Sequence, residues 1–263
     1  MQYKIHYSCL SHIGNVRSIN QDNFICDGRY MEIDETEIEF PLCGIKTSKD
    51  NSIFGIFDGM GGEECGEIAS YIASKTVSTI VTGKDAIADL SQFCRKANND
   101  ICDYATLHEV SSMGTTAAML AFTEKEVVLC NIGDSKIFRL CNRTLEQISM
   151  DHVAVSAFGV KPPLSQNLGI PPNELVIDPY LARGSYNDGD IYLICSDGLT
   201  DMVSVDEITE VLVSKPIEEA ITQLLDKALS NGGKDNTTII LCKIERQSGW
   251  FFNRKRHTKR KEV

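Results

Sequence analysis

Four aspartates stand at the ends of short apolar runs, where together they could hold hard metal ions. Asp58, Asp134 and Asp197 each adjoin a glycine just after a run rich in Ile, Val, Leu or Phe, and Asp235 precedes a fourth run, 237–244. Such runs are typical of core strands, and an acid at the rim of a core is costly unless it is compensated. A single Asp-Gly after a strand usually marks only a turn. Four such acids, far apart in sequence, favour a site with several metal ions.

The residue types indicate which metals such a site would bind. Carboxylate oxygens are hard ligands that suit Mg²⁺ or Mn²⁺, whereas zinc prefers His and Cys. The five histidines of the chain form no recognisable pair. Two hard cations about 3.5–4 Å apart can share a water, lower its pKa and orient it for in-line attack on phosphorus. The predicted chemistry is therefore hydrolysis of a phosphate ester.

A phosphate-hydrolysing site also needs a group that holds the phosphate. Arg17 is the leading candidate, because a guanidinium binds phosphate oxygens through a planar fork. The alternative is an ordinary surface salt bridge. Asp22 closes the same segment and is expected to orient metal-bound waters from just outside the ligand shell.

The elements that must position these side chains follow from apolar periodicity. Helices are predicted over about 63–81 and 85–108, and two more follow Asp197, the first of them capped by Ser204 with Glu207. The stretch 28–51 is a polar segment between two predicted strands. The stretch 154–172 contains four prolines and is predicted to be a loop or small subdomain. Strands are expected at 3–8, 23–27, 53–57, 116–122, 127–132, 136–140, 191–195 and 237–244. This order indicates layered α and β structure with loops at the metal edge.

Composition narrows the class of protein. A chain of 263 residues with 42% hydrophobic and 24% charged residues fits one large globular domain. The net charge of −11 argues against a nucleic-acid partner. No apolar run is long enough to span a membrane, and no secretion signal is apparent at the N-terminus. A cytoplasmic location is expected.

The ten cysteines raise the alternatives of disulfides or a zinc site. However, the chain has no Cys-x-x-Cys pair, and Cys130, Cys195 and Cys242 lie within apolar runs. These cysteines are therefore expected to be small buried hydrophobic residues in a reducing compartment.

Seven short motifs resemble, in the same order, those of the metal-dependent protein phosphatase type 2C family, in its bacterial form. They are Arg17-Ser-Ile-Asn-Gln-Asp22, Phe57-Asp-Gly-Met-Gly-Gly62, Met113-Gly-Thr-Thr116, Ile132-Gly-Asp-Ser135, Met150-Asp-His152, Ser196-Asp-Gly-Leu-Thr-Asp201 and Lys234-Asp-Asn-Thr237. The resemblance covers about residues 8–244. It implies an α+β fold, a four-layer α-β-β-α sandwich with two central antiparallel sheets flanked by helix pairs. It also implies Mg²⁺- or Mn²⁺-dependent hydrolysis of phosphoserine and phosphothreonine in proteins.

Position by position, the resemblance implies a role for each acid. Asp58 would bridge two metal ions, and the Gly59 carbonyl would bind one of them. Asp197 and Asp235 would complete the shell of the other ion, and Asp134 with Asp197 would hold a weaker third ion.

The same comparison implies roles for residues beside these acids. Asp22 is included in the metal site, and Arg17 would grip the phosphate, which makes Arg17, Asp58 and Asp197 the predicted catalytic residues. Asp151 and His152 match a motif without a ligand role, and His152 is expected to be structural.

The chain departs from the family pattern at two places. Many relatives have His where this chain has Met60, and that His is thought to protonate the leaving alcohol. Bacterial-type members also have Met here, so activity is still expected. The flap, around 153–180, is short, and only 165–169 resembles its exit. Substrate specificity therefore does not carry over.

The predicted domains are a catalytic domain, 1–246, and an aromatic-basic tail, 247–263. The tail places Trp250, Phe251 and Phe252 before six basic residues. One hypothesis is peripheral attachment of 249–263 to an anionic membrane surface. The alternative is a solvated, disordered end.

Three functions remain open at this point. The first is an active phosphatase that reverses Ser/Thr kinase signalling, with phosphorylated proteins, including a Ser/Thr kinase, as partners. The second is a catalytically weak sensor or binding module of the same fold, and the third is a phosphatase dedicated to a partner-switching regulator. Because all the metal-binding acids are present, an enzyme is favoured; a monomer is expected.

Overall fold

The computed structural model describes residues 2–60, 65–80, 85–155 and 162–247. The predicted tail from residue 248 onward lies outside the described residues, as do residues 61–64 of the second motif and residues 156–161 of the flap segment. The described elements are β1 (Tyr3–His12), β2 (Asp22–Cys26), β3 (Leu42–Thr47), β4 (Ser52–Met60), α1 (Gly66–Ser78), α2 (Ala86–Leu107), β5 (Gly114–Thr115), β6 (Ala117–Phe122), β7 (Val127–Ile132), β8 (Lys136–Cys141), β9 (Thr144–Gln147), β10 (Tyr180–Gly184), β11 (Ile191–Cys195), α3 (Asp197–Thr200), α4 (Val205–Ser214), α5 (Ile217–Ser230) and β12 (Thr237–Arg246).

The strands form two antiparallel sheets. One sheet has the order β3-β1-β12-β11-β8-β9 and the other the order β10-β7-β6-β4-β2, with β5 paired to the end of β4. At the centre of the first sheet, β1 pairs with β12 from Tyr3↔Arg246 to His12↔Thr237. The two ends of the described chain are therefore held together by one long ladder of hydrogen bonds.

Three apolar layers hold the sheets and helices together. Phe54 and Ile56 of β4 lie between the two sheets. Phe57 faces the opposite way, toward α1 and α2, and its ring lies 5.9 Å from that of Phe93. On the other side of the sandwich, α4 and α5 cover the first sheet. The predicted four-layer α-β-β-α architecture is confirmed.

Burial on both faces explains why the central strands could be predicted from apolar runs in the sequence. A strand buried on both faces reads as a nearly continuous apolar run, and β7 is Val127–Ile132, as predicted. The second predicted helix is confirmed as α2, Ala86–Leu107. The predicted capping box at Ser204 and Glu207 is present at the start of α4.

Four strands were not predicted: β5, a two-residue strand paired with the end of β4, and three strands that lie at sheet edges. The polar segment 28–51 contains β3, and β9 and β10 were likewise not predicted. Because an edge strand has a neighbour on one side only, it is often short or polar; β9 is mostly exposed. The short helix α3, which begins at Asp197, was not predicted either.

The segment predicted to be a loop, 154–172, contains no helix and none of β1–β12 over its described residues, 154–155 and 162–172. It is fixed by backbone pairing of Val153 with Leu164 and of Thr115 with Leu168. The ten cysteines are free thiols, and Cys130, Cys195 and Cys242 are buried, as expected. Within the described ranges, none of the helices has the length and apolar character required to cross a membrane.

Candidate metal centre

One cavity of about 330 Å³ brings together the four aspartates predicted from the strand ends. Asp58, Asp134, Asp197 and Asp235 line it. Its other described lining residues are Arg17, Gln21, Gly59, Met60, Pro162 and Leu164. The fold therefore gathers acids that are far apart in the sequence.

Asp58 is positioned by two threonines of the Met113–Thr116 motif. The Asp58 backbone N–H donates to Oγ1 of Thr116 over 3.0 Å, and the Thr115 hydroxyl donates to the Asp58 carbonyl over 3.0 Å. The Thr116 hydroxyl also lies 2.7 Å from the Ser135 hydroxyl, directly after Asp134. This chain of hydrogen bonds links the backbone at Asp58 with the turn that carries Asp134.

Gly59 occupies a place where no side chain fits. A Cβ atom there would lie 2.2 Å from the Gly66 carbonyl oxygen and 2.4 Å from the Gln21 carbonyl oxygen. The Gly59 N–H donates to that same Gln21 oxygen over 3.0 Å. Close approach of three backbone segments therefore requires glycine beside Asp58; the ligand role of the Gly59 carbonyl remains a prediction.

The turn at Asp134 is held from the loop that follows β9. The His152 N–H donates to the Gly133 carbonyl over 2.9 Å, and the Gly133 N–H lies 3.3 Å from Nδ1 of His152. Lys136 donates to the Asp134 carbonyl over 3.1 Å and pairs with Asp151 at 3.0 Å. In the described structure, His152 and Asp151 therefore support the turn, in agreement with the structural role expected for His152.

Asp197 is the first residue of α3 and is largely buried, with 7% of its surface exposed. The next residue, Gly198, packs directly on the chain beside Asp235. A Cβ at Gly198 would lie 2.0 Å from the Asn236 carbonyl oxygen. Glycine at this position therefore allows the segments that carry Asp197 and Asp235 to approach each other.

Asp22 lies behind the cavity and is absent from its described lining. Its Oδ2 accepts hydrogen bonds from the Ser196 hydroxyl at 2.8 Å and the Thr238 hydroxyl at 2.7 Å. Burial raises the pKa of Asp22 to about 7 against the lowering effect of those two hydrogen bonds. Asp22 thus ties the second sheet to the first beside Asp197; its place just outside the ligand shell remains a prediction.

Arg17 reaches the cavity but is already paired there. Its Nη2 donates to Oδ2 of Asp235 over 2.7 Å. The salt bridge considered from the sequence therefore exists, and its partner is a predicted metal ligand. Phosphate binding by Arg17 remains a prediction.

The segment that carries Arg17 is anchored by Asn236, for which no role was predicted. Oδ1 of Asn236 accepts from the Gln21 N–H at 2.9 Å, and Nδ2 donates to the carbonyls of Ile13 and Ile19 at 2.8 and 3.0 Å. The available signal was its place next to Asp235 in the last motif. Asn236 therefore sets the position of Arg17 relative to Asp235.

The electrostatics of the cavity favour a cation. The pKa of Asp58 is raised well above its usual range by burial first and then by the negative charges of Asp22, Asp197, Asp134 and Asp235. An excess of carboxylates with hard oxygen donors fits Mg²⁺ or Mn²⁺ chemically. As they stand, however, no three His, Cys, Asp or Glu side chains within the described ranges form a metal-holding group. The fit to a metal ion therefore rests on the chemistry of the donor set and on the convergence of the four aspartates on one cavity.

Met60 lines the cavity, and among the described lining residues there is no histidine. The thioether of Met60 has no proton to donate. Among the described lining residues, no histidine is therefore available to protonate a leaving alcohol.

The four aspartates gather in one cavity of a two-sheet sandwich; Asp134, Asp197 and Asp235 lie just outside β7, β11 and β12, whereas Asp58 lies within β4, which continues past the predicted end at 57 to Met60. This arrangement defines the class of protein. Comparison with known proteins identifies the same class: the family model "Protein phosphatase 2C" matches residues 42–235, and the chain belongs to this family. The resemblance inferred from the seven motifs is thus confirmed.

Individual relatives agree on the activity. The serine/threonine phosphatase Stp of Listeria monocytogenes serovar 1/2a is 30% identical over 219 residues, which cover 75% of this chain and 87% of the relative. The structure of Mycobacterium tuberculosis PstP/Ppp, a serine/threonine phosphatase, has a TM-score of 0.77 and 26% identity, covering 92% of this chain and 100% of that one. A crystal structure of the PstP catalytic domain with two manganese ions has a TM-score of 0.76 and 26% identity, covering 93% and 100%. The chain is a protein serine/threonine phosphatase, a phosphoric monoester hydrolase.

Proposed function

We propose that the protein hydrolyses phosphoserine and phosphothreonine in proteins with two Mn²⁺ or Mg²⁺ ions bound in the acidic cavity. Asp58, the Gly59 carbonyl, Asp197 and Asp235 would hold these ions, and Asp134 with Asp197 would hold a weaker third. The observation that carries the proposal is the convergence of four aspartates on one cavity. The two manganese ions in the PstP catalytic domain support it.

When bound, the metal ions would supply the Lewis acidity that activates water for attack on a phosphate ester. The residues of the chain provide the rest. Asp22 keeps Ser196, and with it Asp197, in place. Arg17 lies at the exposed rim, where its guanidinium would hold the phosphate oxygens once it leaves Asp235. Since Met60 donates no proton, turnover would depend more strongly on the leaving group than with a histidine there.

A neighbouring cavity supports a polypeptide substrate. It measures about 490 Å³ and shares Met60 with the acidic cavity. It lies between the end of α2 and the exit of the flap, with Cys102, Met113 and Asn167 in its wall. Residues that flank a phosphorylated Ser or Thr would bind there.

The cellular role proposed is reversal of Ser/Thr kinase signalling, with phosphorylated proteins, including a kinase, as substrates. A cytosolic location is part of this proposal and is supported by the ten free thiols. The domain boundary at 246–247 and the monomeric state remain predictions.

Attachment of residues 249–263 to an anionic membrane surface is proposed from the sequence alone, because this segment lies outside the described residues. Liposome sedimentation of the full chain and of a chain ending at 248 would test it. Preferential binding of the full chain to anionic vesicles is expected, and equal partitioning would exclude the contact.

The decisive experiment compares phosphothreonine and phosphotyrosine peptides while Mn²⁺ is titrated. Activity on phosphothreonine that rises with Mn²⁺ and is lost with EDTA is expected. Asp58→Asn and Asp197→Asn should abolish this activity and the Mn²⁺-dependent hydrolysis of p-nitrophenyl phosphate without unfolding the protein. Asp226→Asn, an exposed change on α5, is the matched control. Full activity of the Asp58 or Asp197 variant would contradict the metal assignment.

A further inference from the structure

The cavity beside the catalytic centre is placed to contact the residues that flank a phosphorylated Thr or Ser. It has a volume of about 490 Å³ and shares Met60 with the acidic cavity. Two chain segments form its described walls: the end of α2 with the residues that follow it, within 102–114, and the segment 167–174 at the flap exit. A polypeptide whose phosphate enters the acidic cavity therefore has these walls beside it.

Both charged residues in the described lining of this cavity are acidic. Asp103 belongs to α2 and Glu174 to the flap-exit segment, and no described Lys, Arg or His lines the cavity. Neither carboxylate has an ion-pair partner among the described residues. In the acidic cavity, by contrast, Arg17 pairs with Asp235 at 2.7 Å. The described part of the protein therefore leaves the negative charge of the neighbouring cavity without a compensating cation.

The two carboxylates act on the same point of the cavity wall. The pKa of the Cys102 thiol is raised by burial first and then by the negative charges of Asp103 and Glu174. Since such an effect requires the charge to be nearby, both carboxylates lie close to this thiol, which itself lines the cavity. Two separate segments of the chain therefore bring negative charge to one location.

The end of α2 adds to this negative potential. The helix has 22 residues, Ala86–Leu107, and its last turn contains no basic residue. The aligned peptide dipoles of a helix place a partial negative charge at its C-terminus, where a cation is stabilising. His108, the next residue, is not among the described lining residues of the cavity. A cation in the cavity would therefore be attracted both by the carboxylates and by the helix end.

We propose that this cavity, through Asp103 and Glu174, selects phosphoproteins that carry a Lys or Arg close to the phosphorylated Thr or Ser. The inference rests on the proposed function, since it names the substrate class of the same site. The cationic group of the substrate pairs with the two carboxylates, and its aliphatic stem packs against Val110 and Ile170 of the cavity wall. In the simpler account, the net charge of −11 favours every basic peptide, wherever its basic residue lies.

The experiment uses phosphothreonine peptides of otherwise neutral sequence, with Lys, Gln or Glu at a single position that is moved along either side of the phosphothreonine. The full chain hydrolyses them at saturating Mn²⁺. At particular positions, kcat/KM should be about 2- to 10-fold higher for Lys than for Gln, and lower for Glu than for Gln. Both carboxylates are exposed, so high salt should reduce the ratio of Lys to Gln.

The double variant Asp103→Asn/Glu174→Gln removes both charges with almost no change in volume, and it should bring the ratio of Lys to Gln close to one. The matched control is Glu210→Gln/Asp226→Asn, which removes two exposed charges on α4 and α5 and gives the same net charge. The control should keep the ratio of the wild type. Each ratio compares two peptides with one enzyme, and urea unfolding shows whether both variants are folded.

The outcomes separate this inference from the proposed function. Equal kcat/KM for the Lys, Gln and Glu peptides, in an enzyme that hydrolyses all three, would overturn the inference and leave the proposed function intact. A preference for Lys that survives in Asp103→Asn/Glu174→Gln, or that falls equally in the control, would place its origin outside this cavity and overturn the inference as well. If no phosphothreonine peptide is hydrolysed with Mn²⁺, the proposed function itself is wrong and the inference fails with it.

Discussion

Arg17 and Asp235 form an ion pair across the mouth of the acidic cavity, with 2.7 Å between Nη2 and Oδ2. The side chains are 47% and 34% exposed, and a pair with this exposure contributes only about 0.2–1 kcal/mol. A divalent cation would compete with Arg17 for Asp235, and a phosphate would compete with Asp235 for Arg17. The pair is therefore weak enough to be exchanged for the two ligands of the proposed reaction.

Removal of the guanidinium should strengthen metal binding. In Arg17→Ala, Asp235 no longer has to leave a partner, so the Kd for Mn²⁺ should fall about 1.5- to 5-fold in the absence of substrate. Isothermal titration calorimetry measures this directly. Arg183→Ala is the matched control, because Arg183 is equally exposed and pairs with Asp85 and Glu126. An unchanged or weaker affinity in Arg17→Ala would show that the pair does not compete with the metal.

The same substitution should weaken the binding of phosphorylated substrates. Loss of a phosphate-binding group raises KM for a phosphothreonine peptide more than it lowers kcat. Steady-state kinetics at saturating Mn²⁺ separates this effect from the change in metal affinity. If Arg17→Ala leaves KM unchanged, or unfolds the protein, Arg17 is a structural residue.

Thr116 is expected to be essential for the position of Asp58. Thr116→Val leaves the Asp58 N–H and the buried Ser135 hydroxyl without their shared partner. Loss of about 1–3 kcal/mol of unfolding free energy is expected, with a drop in Mn²⁺-dependent activity. Urea unfolding and p-nitrophenyl phosphate hydrolysis measure the two effects.

The control for Thr116 is Thr209→Val on the exposed face of α4, where the hydroxyl donates to the Val205 carbonyl within one helical turn. Its effect on stability should stay within about 0.5 kcal/mol. Similar losses of unfolding free energy in both variants would show that the Thr116 hydroxyl, which links Asp58 and Ser135, contributes no more to stability than an exposed hydroxyl does.

The sequence was sufficient wherever one chemical requirement controls a local pattern. Burial on both faces forces the continuous apolar run of β7, and the Ser204–Glu207 box marks the start of α4. The acids at strand ends were visible for the same reason, since Asp58 and Asp197 interrupt apolar runs.

The residues that hold the site in position could not be predicted from local sequence patterns. Asn236 is bonded to residues more than 200 positions away, and Asn98 to residues 71 and 72 positions away. Such partners depend on the assembled sheets, and neither asparagine interrupts a periodic pattern. The edge strand β3 was not predicted for a related reason. Its pairing with β1 is made by backbone groups, whatever its side chains are.

Asp27 should make stability depend on acid pH. Although burial would raise its pKa, hydrogen bonds from Lys46 and from the Tyr7 hydroxyl, at 2.7 Å, lower it below the ordinary value. A carboxyl whose folded pKa is depressed stabilises the protein above its unfolded pKa of about 3.9 and loses this effect as pH falls through the folded value. Wild type should therefore be more stable than Asp27→Asn at pH 6, and the difference should shrink below about pH 4.

Urea unfolding between pH 3 and pH 7 measures this difference. Asparagine suits the test because it tolerates the positive φ of 54° at this position. Asp226→Asn, a charge change of the same kind on the exposed face of α5, is the control and should follow the wild-type pH profile. A gap between wild type and Asp27→Asn that does not vary with pH would contradict the pKa argument.

Asn98 of α2 should control the flap exit. Its Oδ1 accepts from the Gly169 and Ile170 N–H groups at 2.8 and 3.1 Å, and its Nδ2 donates to the Ile170 carbonyl at 2.9 Å. Asn98→Leu keeps the size but removes all three bonds, so faster proteolysis within 162–172 and a stability loss of about 1–3 kcal/mol are expected. Because this segment also borders the cavity proposed for flanking residues, KM should rise for a phosphoprotein and stay nearly unchanged for p-nitrophenyl phosphate. Asn99→Leu, at the exposed neighbouring position, should leave KM unchanged; equal KM changes for both substrates in Asn98→Leu would refute a role in substrate choice.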